Sequence, residues 1–279
     1  MNLMWFAPPA VALAAQGLSL PGADVIKSVA TRGSDEQFDK LVAGECDAVV
    51  TAMDNVFAWN RRPGPGDFRI VAQIERTTPL AVVARPGIGS MAQLKGASLL
   101  VDAPGNGFVI ALRALLDAAG LVPTDYRFVE AGGVRERLNA LLGDQGDATL
   151  LGPPFDQVAQ AAGHPVLATV QDSYPTFPGQ GLVVSRSALP RFQHNLLRWL
   201  RALDGACHQA AVAADSVNDA MQSASGLDAA TVAKLQRGIP STLQPDRAGV
   251  ELLIAMRRKL QLPGAQDTLA DLLLHLPLQ

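Results

Sequence analysis

The chain has 279 residues, of which 48% are hydrophobic and 18% are charged, and its 23 Lys and Arg residues against 26 Asp and Glu residues give a net charge of −3. This weak acidity, without a run of like charge, excludes the basic patch by which proteins bind nucleic acid, so we expect no nucleic-acid partner. The two cysteines, Cys46 and Cys207, exclude a disulfide framework. A chain of this length and composition forms a globular protein large enough for two lobes.

The N-terminal segment 3–15 is apolar but lacks the pattern of an export signal. No Lys or Arg precedes Lys27, and Pro8-Pro9 interrupts the apolar run. The run is also shorter than the roughly 20 residues of a membrane-spanning helix, and no later stretch comes closer. We therefore expect no membrane insertion and a cytoplasmic location for the chain as it stands, or a periplasmic location if a signal was trimmed or the start is misplaced.

The first part of the chain alternates short β-like runs with amphipathic helical runs. In chain order the predicted elements are a strand at 2–6, a helix at 8–18 opened by proline, a strand at 24–30, a helix at 34–43 ended by Gly44, and a strand at 47–53. This strand, helix, strand order is typical of an α/β protein.

The same order of elements returns about one hundred positions later. The predicted elements are then a strand at 98–103, a helix at 107–119, a strand at 126–130, a helix at 134–142 and a strand at 148–152. Ala7-Pro8 aligns with Ala103-Pro104 at an offset of 96, and Asp47-Ala48 aligns with Asp147-Ala148 at an offset of 100. This period is longer than the roughly 20 to 50 residues of solenoid repeats. The pattern therefore predicts two similar α/β lobes.

Two apolar segments are suited to connect these lobes. The β-rich segment 68–85 leaves the first lobe and enters the second, and segment 181–185 returns the chain. From Leu189 onward the pattern is helical, with Leu196, Leu197, Leu200 and Leu203 on one face and later helices near 229–237, 249–260 and 268–275. We predict that residues 1–78 plus 183–279 form lobe one and that residues 79–182 form lobe two.

Four segments carry a resemblance to a known family. They are LVAGECDAVVTAMDN at 41–55, AQLKGASLLVDAPGNG at 92–107, LLDAAGL at 115–121 and LLGDQGDATLLGPPF at 141–155. Over about its first 185 residues the chain resembles the type 2 periplasmic binding protein fold, in the branch of solute-binding proteins for nitrate, sulfonates, taurine and thiamine-pyrimidine precursors. The resemblance implies an α/β, two-lobed fold with two crossovers, here with a helical C-terminal extension.

The expected ligand site follows from the placement of strand ends in this architecture. In open α/β sheets, ligands sit beyond the carboxyl ends of strands, where helix N-termini present free N–H groups. Residues just after strands, in the crossover and in the turn-rich loop near Tyr174 are therefore the candidates. The predicted ligand-binding residues are Phe6, Pro8, Ser34, Asp54, Asn55, Arg76, Asp102, Asn106, Gly107, Phe108, Pro153, Phe155 and Tyr174.

Several of these candidates have a structural alternative. The turn 104–107 can let backbone approach a ligand, or it can be an ordinary strand-to-helix connection. Asp54 and Asp102 can face each other across the cleft, or they can cap a helix and bond to nearby N–H groups. Arg76 can bind a carboxylate or sulfonate, or it can form a structural ion pair.

The residues that usually carry catalysis or bind metals lie in unsuitable places. Cys46 and His164 fall in helix-to-strand connections, at the opposite end of the sheet from the cleft. Cys207 and His208 are adjacent, so on a helix they point about 100° apart and do not form a nucleophile–base pair. We therefore expect a binding site without chemistry, and neither a cofactor nor a metal ion.

The leading hypothesis is a small-molecule binding protein whose two lobes close over one ligand and pass it to the permease of an ABC-type importer. The expected ligand is a compact nitrate-, sulfonate- or pyrimidine-like compound. One alternative is a cytoplasmic enzyme on the same scaffold, of the decarboxylase or precursor-synthase type, with Asp54 and Asp102 as acid–base groups. Another is a sensory ligand-binding module.

Overall fold

The protein folds from alternating strands and helices, described here by a computed structural model for residues 1–105 and 107–277. Its strands are β1 (Asn2–Trp5), β2 (Lys27–Ala30), β3 (Ala48–Ala52), β4 (Phe68–Gln73), β5 (Ala81–Ala84), β6 (Ser98–Val101), β7 (Arg127–Glu130), β8 (Ala148–Leu151), β9 (Val166–Thr169) and β10 (Gln180–Ser185). Its α-helices are α1 (Ala10–Gly17), α2 (Ser34–Val42), α3 (Asn55–Trp59), α4 (Val109–Ala118), α5 (Val134–Leu142), α6 (Phe155–Ala161), α7 (Val170–Ser173), α8 (Gln193–Val212), α9 (Ala214–Ser225), α10 (Ala229–Gln236), α11 (Arg247–Lys259) and α12 (Leu269–Leu272). The predicted α/β class is confirmed.

The strands form two five-stranded sheets with the same topology, one in each lobe. The first sheet has the order β2-β1-β3-β10-β4, and the second has the order β7-β6-β8-β5-β9. In each sheet the first three strands are parallel, and the fourth, β10 or β5, is antiparallel to its neighbours. The predicted repetition of one architecture is therefore confirmed.

The two sequence offsets reappear in the strand register. Leu3 pairs with Ala48 in the first sheet, and Leu99 pairs with Ala148 in the second. These pairs differ by 96 positions on one strand and 100 on the other, as in the sequence alignment. The offset of 96 therefore relates β1 to β6, and the offset of 100 relates β3 to β8.

Two crossovers connect the lobes, as predicted. The chain leaves the first sheet after β4, enters the second sheet at β5, and returns through β10. All of β10 from Gln180 onward pairs with β3 and β4 in the first sheet, so the predicted limit at residue 183 falls inside this strand. The exact domain limits stay a prediction.

Helices α8, α9 and α10 pack with α1 on the first sheet. Leu196, Leu200 and Leu203 of α8 are fully buried together with Trp199, in a core shared with α1. These three leucines confirm the apolar face predicted from helical spacing, whereas the fourth predicted residue, Leu197, is only partly buried. Within the described residues, no helix combines the length and the apolar character needed to cross a bilayer.

Some predicted elements differ at their ends or in kind. The helix predicted at 8–18 begins at Ala10, because Pro9 has the extended backbone of an N-cap residue with ψ of 151°. The helix predicted at 268–275 is only the short α12, and Leu273 instead forms a parallel bridge with Ile70 of β4. The half-exposed strand β9 was not predicted, because its short sequence VLAT lacks clear alternation.

Candidate ligand-binding cleft

A cavity of about 220 Å³ lies between the two lobes at the carboxyl ends of the strands. Phe6 follows β1 and Thr51 lies near the end of β3, whereas Asp102 follows β6 and Pro153 follows β8. Both lobes therefore contribute walls to the same cavity. This is the place where open parallel sheets bind ligands, because the strand-to-helix loops of each sheet meet there.

Nine of the predicted ligand-binding residues line this cavity. They are Phe6, Pro8, Ser34, Asn55, Asp102, Gly107, Phe108, Pro153 and Phe155. The structure brings them together from the ends of five strands, β1, β2, β3, β6 and β8, and from the helices that follow them. Their contact with a ligand stays a prediction, and Asn106 lies outside the described residues.

Asp54 does not reach the cavity, although it is adjacent to Asn55. Its carboxylate is buried and forms a bidentate ion pair with Arg257 of α11, with Nε–Oδ1 and Nη2–Oδ2 distances of 2.6 Å. The Arg257 guanidinium also lies 4.7 Å from the centre of the Phe57 ring. The predicted pair of acids, Asp54 facing Asp102 across the cleft, is therefore wrong, because the C-terminal helix supplies a cation that the local sequence does not show.

Two other predicted residues also lie outside the cavity lining. Arg76 is exposed, and its Nη2 donates a hydrogen bond to the carbonyl of Arg237 at 3.1 Å. The Tyr174 hydroxyl donates to the carbonyl of Ala114 at 3.3 Å, and its ring packs against the core of the second lobe. Both side chains have partners within the protein.

Hydrogen bonds cross the cleft at two places. The backbone N–H and the hydroxyl of Ser34, in the first lobe, donate to Asp102 Oδ2, in the second lobe, at 3.2 and 2.5 Å. Asn55 Oδ1 accepts a hydrogen bond from the backbone N–H of Gly107, and Asn55 Nδ2 donates to Thr51 at 2.6 Å. Gly107 has a φ of +66°, a backbone conformation that residues with a side chain rarely adopt. The described conformation is thus closed across the cleft.

Two charged residues of the cavity were not among the sequence candidates. Glu75 lies in the crossover, next to the predicted Arg76, and Arg137 lies on α5. Burial raises the pKa of Glu75, although hydrogen bonds from Thr78 and Gln180 oppose this effect. Successive side chains of an extended segment point to opposite sides, and the structure turns Glu75 rather than the predicted Arg76 toward the cavity.

Asp102 is a second carboxylate in the cavity, and it has a cation nearby. Burial raises its pKa, whereas the hydrogen bonds from Ser34 and the charge of Arg137 oppose that shift. Burial also lowers the pKa of Arg137, and the charge of Asp102 acts against this. The two groups therefore offset each other's charge in part.

A signal for Arg137 was present in the sequence repeat. Arg137 is 100 positions after Gln37, and each lies on the buried side of its helix, one residue before Leu138 or Phe38. Gln37 Nε2 donates to the carbonyl of Val50 at 3.0 Å, and Arg137 Nη2 donates to that of Leu150 at 3.3 Å. The helical spacing thus placed Arg137 on the inner face of α5.

The part of the chain that the structure describes contains no group of three His, Cys, Asp or Glu residues that could hold a metal ion. Cys46 and Cys207 are buried free thiols outside the cavity lining. Burial raises their pKa values to about 11 and about 12, respectively. Neither thiol is therefore a nucleophile at neutral pH.

Comparison with known proteins identifies the fold. No protein-family model and no curated protein sequence matches the chain. Among solved structures, the ligand-binding component of an ABC-type import system from Staphylococcus aureus, with zinc bound, has a TM-score of 0.80 and 12% identity, over 99% of this chain and 96% of that chain. The alkanesulfonate-binding protein SsuA from Xanthomonas axonopodis pv. citri, bound to MOPS, has a TM-score of 0.78 and 17% identity, over 99% of this chain and 98% of that chain.

A third similar structure comes from a eukaryote. A conserved Candida albicans gene product, described as defining a new family with the generic periplasmic binding protein structural fold, has a TM-score of 0.74 and 14% identity. The match covers 96% of this chain and 91% of that chain. The protein therefore has the two-lobed periplasmic binding protein fold, which it shares with solute-binding proteins of ABC-type import systems.

Proposed function

We propose that the protein is a solute-binding protein that closes its two lobes over one small molecule and delivers it to the permease of an ABC-type importer. The observation that carries this proposal is the cavity between the lobes, which both lobes line and which the Ser34–Asp102 and Asn55–Gly107 hydrogen bonds bridge. The similarity in fold to binding components of import systems supports it.

Closure explains how such a site responds to its ligand. A molecule in the cavity contacts residues of both lobes only when the cleft is closed, so its binding increases the closed population. The ligand need not induce a new structure, because the cross-cleft hydrogen bonds already define the closed state. A permease that recognises the closed form would then distinguish loaded from empty protein.

The cavity walls favour a compact ligand with an apolar body. Phe6, Phe108 and Phe155 contribute aromatic surface, and Leu80 and Leu112 contribute aliphatic surface. Of the ligands expected from the sequence, a pyrimidine-like ring suits these walls better than nitrate, which has no apolar surface to bury. An alkanesulfonate, the ligand class named for the Xanthomonas protein, has a suitable apolar chain, but its anionic group would meet two carboxylates, Glu75 and Asp102, against one cation, Arg137.

A ligand panel tests the proposal directly. Sulfonates, nitrate, pyrimidines and aromatic acids are added separately, and unfolding is followed by differential scanning fluorimetry. At a concentration about a hundred times its Kd, a true ligand raises Tm by roughly 5 °C or more. Small-angle X-ray scattering measures the radius of gyration, which does not increase on binding and decreases if the unliganded protein is open. Failure of the whole panel to raise Tm would count against the proposal.

A matched pair of variants shows whether a compound that raises Tm binds in the cleft. Asn55→Ala removes a side chain that lines the cavity and bonds to the opposite lobe, so we expect it to weaken binding by about tenfold. Asn139→Ala removes an exposed amide on the outer side of α5 and should leave the affinity unchanged. Equal affinities in the two variants would place the compound elsewhere on the protein.

A further inference from the structure

One oxygen of Glu75 lies in the cavity region and has no partner among the residues that the structure describes. Oε2 accepts hydrogen bonds from the hydroxyl of Thr78 and from Nε2 of Gln180, the latter at 3.4 Å. Oε1 accepts no hydrogen bond from the described residues, and none of their Lys, Arg or His side chains forms an ion pair with Glu75. Glu75 thus has unused acceptor capacity at a site that it helps to line.

The backbone holds Glu75 in this position. The N–H groups of Ile74 and Glu75 both donate to the carbonyl of Gln180, at 2.9 and 3.1 Å. Gly179 packs so closely against this backbone that an added Cβ would lie 2.4 Å from the carbonyl oxygen of Glu75. The adjacent Arg76 N–H donates to the carbonyl of Gly238 at 2.8 Å, which fixes the other side of the crossover. The backbone that carries the Glu75 side chain is therefore held in place from both sides.

The charges of the cavity are unequal. Its described lining contains Glu75, Asp102 and Arg137 as its charged side chains. Arg137 is close enough to Asp102 for each to shift the pKa of the other, whereas no cation contributes to the pKa of Glu75. Glu75 is half-buried, and a carboxylate partly withdrawn from water is destabilised unless a cation or several hydrogen-bond donors compensate it. One negative charge in the cavity is thus left for a ligand to compensate.

We propose, resting on the function proposed above, that the ligand of this cleft carries a cationic nitrogen that donates a hydrogen bond to Glu75 Oε1. Its body is apolar and contacts the aromatic walls formed by Phe6, Phe108 and Phe155. Such a charge-assisted hydrogen bond is about twice as strong as a neutral one, and it removes the cost of the uncompensated carboxylate. The substrate class is therefore a compact aromatic or aliphatic amine or amidine rather than an anion.

Three compounds that share a benzyl group but differ in charge separate the effect of charge on affinity from the effect of shape. They are benzylammonium, benzyl alcohol and phenylmethanesulfonate, and their Kd values are measured by isothermal titration calorimetry with the full chain. We expect benzylammonium to bind at least about tenfold more tightly than benzyl alcohol, since a hydrogen bond to a charged group contributes that much. Phenylmethanesulfonate is expected to bind more weakly than either.

A substitution assigns this preference to Glu75. Glu75→Gln keeps the side-chain shape but removes the charge, so the preference for benzylammonium over benzyl alcohol should disappear. Glu251→Gln, on the exposed face of α11, removes the same charge far from the cleft and should leave the preference intact. A preference that survives in Glu75→Gln, or a wild-type preference for the sulfonate, would overturn the inference but not the proposed function. Absence of binding by all three probes at millimolar concentration would count against both.

A measurement without ligand tests the inference separately. If Glu75 is an uncompensated carboxylate, Glu75→Gln raises the melting temperature of the unliganded protein at neutral pH, and Glu251→Gln leaves it unchanged. An unchanged or lower melting temperature in Glu75→Gln would show that the protein already compensates this charge, and it would overturn the inference whatever the panel shows.

Discussion

Adjacent residues after β3 serve different parts of the molecule. Asn55 lines the cavity and bonds to Gly107, whereas Asp54 points away and pairs with Arg257 on α11. Both side chains of the Asp54–Arg257 pair are only 3–4% exposed, so the pair lies in a medium where an unpaired charge is costly. Position after a strand therefore placed these two residues near the cleft, but it did not determine where each side chain points.

The ion pair gives a stability prediction. Asp54→Ala leaves the Arg257 guanidinium buried without its counterion, and we expect it to reduce the free energy of unfolding by about 3–5 kcal/mol. Urea denaturation followed by circular dichroism measures this change. The double substitution Asp54→Leu with Arg257→Met replaces both charges by apolar groups and should retain more stability than Asp54→Ala.

An exposed ion pair provides the control for this prediction. Lys259 pairs with Asp117 at 2.6 Å, but its side chain is 67% exposed. Water and salt screen such a pair, so Asp117→Ala should change the free energy of unfolding far less than Asp54→Ala. Equal effects of the two substitutions would contradict the importance assigned to burial.

Two aspartates in equivalent positions join neighbouring strands, Asp47 between β1 and β3 and Asp147 between β6 and β8. Asp47 Oδ2 accepts from the backbone N–H of Asn2 at 2.8 Å, and Asp147 Oδ2 accepts from that of Ser98 at 2.7 Å. In return, the N–H groups of Asp47 and Asp147 donate to the carbonyls of Asn2 and Ser98. The Asp-Ala pairs noticed in the sequence thus mark the start of the central strand in both lobes.

The Asp147 contact in the second lobe predicts how stability depends on pH. The backbone N–H of Ser98 and the guanidinium of Arg85 lower the pKa of Asp147 below its usual value. A lowered pKa in the folded state contributes stability above the unfolded pKa of about 3.9, and this contribution is lost as the pH falls through the folded value. Asp147→Asn should therefore cost about 1–2 kcal/mol at neutral pH, and the difference from wild type should shrink below about pH 4.

Denaturation at several pH values checks this dependence. Asp39→Asn, on an exposed position of α2, serves as the control because Asp39 does not hold two strands together. A wild-type advantage over Asp147→Asn that stays constant down to pH 3, or that grows on acidification, would contradict the assigned role.

The sequence predicted elements best where periodicity was strong. The helix at 134–142 has the predicted bounds, and the central strand of each sheet lies within its predicted range. The short elements α3, α6, α7 and β9 were not predicted, because four to seven residues are too few to establish a period. Leu273 pairs with Ile70 some two hundred positions away, a contact that local patterns do not encode.

At the scale of the whole molecule, few polar contacts hold the cleft closed. Ser34 bonds to Asp102 and Asn55 bonds to Gly107 across the cleft, and outside the cavity the exposed Lys259–Asp117 ion pair also joins the two lobes. A single hydrogen bond contributes about 1 kcal/mol, and one to a charged group contributes more. These polar contributions to closure are each small enough for the binding energy of a ligand to outweigh them.

Weakening both contacts should shift the unliganded protein toward the open form. We expect the double substitution Ser34→Ala with Asn55→Ala to lower the ratio of closed to open forms by about tenfold or more. Small-angle X-ray scattering should then give a larger radius of gyration than for the wild type. Ser90→Ala, which removes a hydroxyl used only within the second lobe, should leave the radius unchanged. Equal radii for the double variant and the wild type would show that these hydrogen bonds do not determine closure.

By itself, the sequence determined the fold class, the repetition of one lobe and the edge of the sheets at which the cleft lies. These depend on local periodicity and on short motifs such as Asp47-Ala48 and Asp147-Ala148, which each segment carries on its own. Only the tertiary structure decided which polar groups face the cavity. The orientation of Asp54 depends on Arg257, about two hundred positions away, and the free oxygen of Glu75 depends on which donors the crossover and β10 bring near it. Whether a charge near the cleft is compensated depends on side chains that are distant in sequence. Only the folded chain brings those side chains together.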